Sequence, residues 1–197
     1  MQLDIPTGDF AGYIFDLDGT LVNTMPLHYV AWRDTMREFG LRRDLDEDLF
    51  YSLGGVPALK VAELFNQHYG TDFEPLAMRE VKEQRYIALL PQAPLIEPVV
   101  EFARRVAQTR PVSVASGGPK EIVLETLVSR GLRPLFSVVV AADDVKRGKP
   151  APDSFLLAAR QMNVPAEQCL VFEDAEPGIQ AAEAAGMKWV RVPRVIG

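Results

Sequence analysis

Short apolar runs alternate with amphipathic stretches through the second half of the chain. Residues 112–115 (VSVA), 136–142 (FSVVVAA), 169–172 (CLVF) and 188–192 read as strands. Between them, residues 98–108, 119–130, 153–162 and 177–185 carry helical periodicity. Prolines open the first two of these helices, Gly131 stops the second and Gly186 stops the last. Near the N-terminus, Tyr13-Ile14-Phe15 is another continuous apolar run. Strands that are apolar on both faces, rich in Val, Ile and Phe and separated by helices, imply a parallel sheet covered on both sides.

Residues 25–90 have a different texture. Trp32, Met36 and Phe39 recur at helical spacing and stop at Gly40; Leu59, Ala62, Phe65 and Tyr69 do the same and stop at Gly70. A third helix is expected over 75–90, and Pro91-Gln92-Ala93-Pro94 reads as a stiff connector. The charged run 42–48 mixes signs and reads as a solvated loop and helix start. The pattern predicts an α/β core formed by residues 1–22 and 91–197, interrupted by a helical domain over 23–90.

Composition narrows the function classes. The 197 residues allow one domain with a sizeable insertion, or two small ones. A formal net charge of −6 argues against a nucleic-acid partner, which would recruit clustered Lys and Arg. The single cysteine, Cys169, excludes an internal disulfide, and its apolar setting predicts an inert buried thiol. No basic leader precedes an apolar stretch at the N-terminus, and no run approaches the roughly 18 apolar residues of a membrane span. A soluble, cytoplasmic, monomeric protein with no membrane partner is expected.

The ends of the strands carry the chemistry. In the stretch YIFDLDGTLVNT the first run stops at Asp16, with Asp18 two residues on. The next strand stops at Ser116, another at Asp143-Asp144 with Lys149 following, and another at Glu173-Asp174. In an open parallel sheet the carboxyl ends share one edge, where ligands bind. Several carboxylates gathered there repel one another unless a cation sits among them, and hard oxygen ligands select Mg²⁺. A Lys and a Ser beside such an ion can hold the nonbridging oxygens of a phosphoryl group. One Asp is then a competent nucleophile, and the second can act as general acid.

These motifs, in this order, resemble the haloacid dehalogenase superfamily of phosphohydrolases: Asp16-Leu17-Asp18-Gly19-Thr20, Ser116, Lys149 within GKPAPD, and Glu173-Asp174 within EDAEPGI. The closest likeness is to its helical-cap subgroup, which contains sugar-phosphate phosphatases and β-phosphoglucomutases. The resemblance covers almost the whole chain. It implies a doubly wound, Rossmann-like parallel sheet with an inserted helical cap, and hydrolysis of a small phosphorylated metabolite. By the same resemblance Asp16 is the nucleophile, Asp18 the acid and base, Ser116 a phosphoryl ligand, and Lys149 a brace for Asp16 and the transferring group. Mg²⁺ would be held by Asp16, the main-chain carbonyl of Asp18 and Asp174, with Glu173 a ligand or its support. Gly19, Thr20 and Gly117 would line the substrate side.

Taken singly, each motif has a plainer reading. The Asp pair can be a turn, Ser116 a strand-to-helix turn, Lys149 a solvated lysine, and Glu173-Asp174 a helix N-terminus. Their ordered coincidence at strand ends outweighs those readings. In the cap, His28, Gly55 and Lys60 are candidates for substrate contact, with His28 equally readable as a core residue and Lys60 as a helix-surface lysine. Asn23 stands where relatives usually carry Asp. A β-phosphoglucomutase would need an arginine after the cap-loop glycine, where this chain has Val56-Pro57-Ala58. A phosphatase is therefore the first expectation, a mutase the second, and a non-catalytic binding module on the same scaffold the third.

Overall fold

The computed structural model describes residues 3–54 and 56–194. The continuous apolar runs become strands because they lack a polar face to turn towards water, whereas 188–191, at the sheet edge, keeps Lys188 and Arg191 exposed. They are β1 (Gly12–Phe15), β2 (Val112–Ala115), β3 (Val138–Val140), β4 (Cys169–Glu173) and β5 (Lys188–Arg191). All neighbours are parallel, in the order β3-β2-β1-β4-β5, the doubly wound arrangement.

Alternation along β1 divides the core into two layers. Ile14 faces a cluster with Ala115, Val140, Val171, Phe155, Ala158 and Ala182. These last three lie on helices α7 (Asp153–Gln161) and α8 (Glu176–Ala184). Phe15, on the opposite face, stacks on Phe172 at 4.8 Å, and Phe172 meets Phe102 of α5 (Glu97–Val106) at 4.9 Å. The fourth helix of this core, α6 (Lys120–Ser129), follows β2.

The chain forms two compact units, Met1–Asn23 with Ala93–Gly197, and Thr24–Gln92. The second is helical: α1 (Met25–Glu38), α2 (Glu47–Ser52), α3 (Ala58–Tyr69) and α4 (Pro75–Leu89). Trp32, Met36, Phe50, Val61, Ala62, Phe65 and Met78 form its core. Gly70 ends α3 at φ 66°, the left-handed conformation that costs a glycine little.

Two expectations change. The strand expected over 136–142 shrinks to Val138–Val140. Arg133 Nη1 takes the Phe136 carbonyl at 2.5 Å, and Ala142–Asp144 wind into a 3-10 turn. Asp144 Oδ2 holds that turn by accepting from the Ala141 amide at 2.8 Å. The sequence reading places three helices in the second unit, and the structure adds α2 at the end of the charged run 42–48. Asp46 starts α2 early by accepting from the Leu49 amide at 2.9 Å. No helix of the described residues is long and apolar enough to cross a membrane.

Cys169 is wholly buried in the Ile14 cluster, and burial pushes its thiol up to about 11. The folded protein should therefore resist a thiol-specific reagent at pH 8 and yield one reactive thiol per chain after unfolding, as read by absorbance of the released chromophore.

Candidate active site

Strand order reverses at β1. The chain runs outward through β2 and β3, then crosses to β4 and β5, which makes the carboxyl ends of β1 and β4 the switch point at which open α/β sheets bind ligands. Register fixes what stands there. Phe15 pairs with both Val114 and Phe172, and the Asp16 amide donates to the Phe172 carbonyl at 3.0 Å. Asp16 and Glu173 therefore end their strands at the same level, with Asp174 one residue further and Ser116 just beyond β2.

Lys149 reaches this edge from the loop before α7. Its Nζ donates to Asp16 Oδ1 at 2.6 Å and to Glu173 Oε1 at 3.0 Å. The three side chains are 11%, 8% and 3% exposed, so the interaction is poorly screened. The Phe155 ring lies beneath the ammonium, 4.9 Å from its centroid, and faces it with π-electrons. The other oxygen of Glu173 accepts from the Asp174 amide at 2.6 Å and the Ala175 amide at 3.1 Å. Both ends of that carboxylate are thus committed, one to the lysine and one to the turn leading into α8.

One ammonium does not balance the acids around it. Burial, then the Glu173 charge, pushes the Asp16 carboxyl well above the ordinary range, against the pull of Lys149. Burial and Glu173 likewise push Asp174 up to about 7. Burial alone would lower the Lys149 amine, but Asp16 and Glu173 overcome it and hold the amine above its ordinary range. Asp16, Glu173 and Asp174 each offer an oxygen, and these lie within 4.8 Å of one another. A buried, all-oxygen, under-neutralised donor set fits a small hard divalent cation such as Mg²⁺.

The turn after Asp16 is shaped around the same acids. Gly19 has φ 85°, and a Cβ there would lie 2.3 Å from Asp174 Oδ2, so no side chain fits. Thr20 is buried, and its hydroxyl donates to Asp174 Oδ1 at 3.4 Å. Ser116 Oγ donates to Asp18 Oδ2 at 3.5 Å and accepts from the Gly118 amide at 3.1 Å. Beside it, the direction in which a Gly117 Cβ would project is open space.

Other sequence candidates stand elsewhere. Asp143 and Asp144, grouped with the strand-end acids on sequence, turn towards α6. Asp143 Oδ2 accepts from the Lys120 amide at 2.5 Å, and Asp144 Oδ2 from Lys120 Nζ at 2.6 Å. Lys60 pairs with Glu63 at 2.7 Å on an exposed face of α3, which suits a helix-surface lysine. His28 belongs to the helical unit, where its ring stacks on Tyr86 at 3.9 Å. Gly55 lies outside the described residues. The sequence reading missed Phe155, whose ring supports Lys149, and Arg191. The latter donates to the Asp174 carbonyl at 3.4 Å and to Glu176 at 2.6 Å. Neither carries a local signal: one is an ordinary apolar helix position and the other a strand-end cation.

Known proteins resemble this chain over most of its length. The family description haloacid dehalogenase-like hydrolase matches residues 10–186. The fructose-1-phosphate phosphatase YqaB of Escherichia coli (strain K12) is 40% identical over 183 residues, 93% of this chain and 96% of that protein. A phosphorylated carbohydrates phosphatase of Thermotoga maritima is 31% identical over 179 residues, 89% of this chain and 81% of that one. Among solved structures, CbbY from Rhodobacter sphaeroides in complex with phosphate superposes with a TM-score of 0.84 at 26% identity, covering 94% of this chain and 87% of that one.

The raised carboxyl of Asp174 has a consequence for stability. The metal-free folded state keeps a proton that the unfolded chain releases near pH 4, so stability should fall as pH rises from about 4 to about 7. Saturating Mg²⁺ should remove that fall and raise Tm most above pH 7, where the acids are ionised. Thermal unfolding across pH 4–8 with and without Mg²⁺ checks both; a Tm insensitive to Mg²⁺ at pH 8 contradicts the assignment.

Proposed function

The chain belongs to the haloacid dehalogenase-like hydrolases, and on that premise we propose that it is a Mg²⁺-dependent phosphatase of a small sugar or polyol phosphate, acting through an aspartyl-phosphate on Asp16. The observation that carries this reading is the pairing of Lys149 with Asp16 at the switch point of the sheet, inside an acidic group that needs a further cation. The names of the relatives, a fructose-1-phosphate phosphatase and a phosphorylated carbohydrates phosphatase, support the substrate class.

Asp16 and Asp174 would hold the ion, together with the main-chain carbonyl of Asp18, while Glu173 keeps its oxygens on Lys149 and the α8 turn. When bound, Mg²⁺ supplies the positive charge that keeps Asp16 ionised and that offsets charge on the phosphoryl oxygens. Lys149 holds Asp16 Oδ1, which leaves the other carboxylate oxygen to attack phosphorus. Ser116, already turned towards Asp18, offers its hydroxyl to a phosphoryl oxygen. As the P–O ester bond breaks, Asp18 gives its proton to the departing alkoxide. Asp18 then takes a proton from water, whose oxygen attacks the phosphorus of the acyl phosphate; inorganic phosphate leaves and the Asp16 carboxylate is restored.

Phosphate release should be measured across sugar, polyol and nucleotide monophosphates, with and without Mg²⁺. We expect Mg²⁺-dependent release from sugar or polyol phosphates, reduced to background by Asp16→Asn. Asp18→Asn should lower kcat by about 10²–10⁴-fold, the usual worth of a general acid and base. Undiminished release by Asp16→Asn would exclude the mechanism. Rapid isomerisation of glucose 1-phosphate with a bisphosphate primer would replace the phosphatase by a mutase, and silence across the panel would favour a binding module.

A further inference from the structure

Glu173 is placed as if the helix after it had been cut away to receive it. Its side chain runs back over the start of α8, and a Cβ built on Gly178 would lie 1.6 Å from Oε1, 2.1 Å from Cδ and 2.4 Å from Cγ. Real atoms do not approach so closely. The obstruction is not relieved by swinging a flexible tip, because the Cγ is involved as well as the carboxylate. Nor is the carboxylate free to move: it is held by Lys149 Nζ on one oxygen and by the Asp174 and Ala175 amides on the other.

Gly178 is the third residue of α8 and is buried. Its φ is not in the positive range, so backbone conformation does not call for glycine there. A helix interior ordinarily prefers alanine at such a position. What requires the missing side chain is therefore the space, and the occupant of that space is the acid that braces Lys149.

We propose that Gly178 is a positioning residue for the phosphoryl-transfer site: its bare Cα provides the slot in which Glu173 lies, and through Glu173 it sets the place of the Lys149 ammonium against Asp16. The link to catalysis rests on the reading of Asp16 and Lys149 given above, whereas the Gly178–Glu173 fit stands without it. Ala175, at the N-terminal end of α8, has no side chain able to cap the helix, and its amide donates instead to the Glu173 carboxylate. The helix start and the catalytic lysine thus share one carboxylate, and Gly178 admits it to both.

The test is a double-mutant cycle on the full-length protein, read by thermal unfolding in the absence of metal and by steady-state kinetics with Mg²⁺. With Glu173 present, Gly178→Ala should lower Tm, by roughly 3 °C or more. In the E173A background, the same change should be neutral or raise Tm, because the methyl then meets an empty slot and alanine favours the helix. That reversal of sign is the decisive outcome, and it does not need activity. In kinetics, Gly178→Ala should lower kcat by about a hundredfold with KM little changed, as for a misplaced catalytic group. If G178A fails to fold while E173A/G178A folds, the inference is supported in a stronger form. Equal effects of Gly178→Ala in both backgrounds, or failure of both variants to fold, would overturn it. An active G178A enzyme with unaltered kcat would overturn the positioning role even if the thermal cycle reverses. A wild-type protein without phosphatase activity would remove the proposed function and leave the thermal cycle to judge the fit.

Discussion

A lysine ammonium held between two buried carboxylates, with a third beside them, is the constraint around which the site is arranged. Lys149 sits against Asp16 and Glu173, and Asp174 completes an acidic group that one positive charge cannot neutralise. Buried ion pairs are poor sources of stability, because desolvation offsets most of their attraction. A fold that maintains such a group is bearing a cost that apolar residues would have avoided. Under the proposed function that imbalance would favour a divalent cation, whose charge would keep Asp16 ionised and ready to attack.

The rest of the core can be understood as support for that group. The parallel sheet brings the ends of β1 and β4 level, so that residues distant in sequence arrive on one edge. The aromatic layer of Phe15, Phe172 and Phe102 stiffens the two strands behind their terminal acids. Around the acids, side chains have been removed as deliberately as they have been placed: Gly19 leaves room for Asp174, and Gly178 for Glu173. Arg191, from β5, fastens the backbone between the two acids and α8 through the Asp174 carbonyl.

The strands were readable because fully covered parallel strands are continuous apolar runs, and Cys169-Leu170-Val171-Phe172 is such a run. Asp16, Ser116, Lys149 and Glu173-Asp174 were readable because each interrupts or follows one, where an unpaired charge needs a reason. What sequence could not supply was the use of space. The segment 136–142 has strand composition throughout, yet Arg133 and Asp144 take its end groups out of the ladder. Asp143-Asp144 resembles the other acidic strand ends until the structure gives it to Lys120. Gly178 looks like a weak helix residue, and its meaning lies entirely in the acid five residues earlier that folds back against it.

In the proposed function a divalent cation belongs between Asp16 and Asp174. Anomalous scattering from a crystal soaked in Mn²⁺, a close substitute for Mg²⁺ among oxygen ligands, tests this most directly. We expect a single strong peak within bonding distance of one oxygen from each of those two side chains. An empty crevice, or an ion bound only elsewhere, would contradict it.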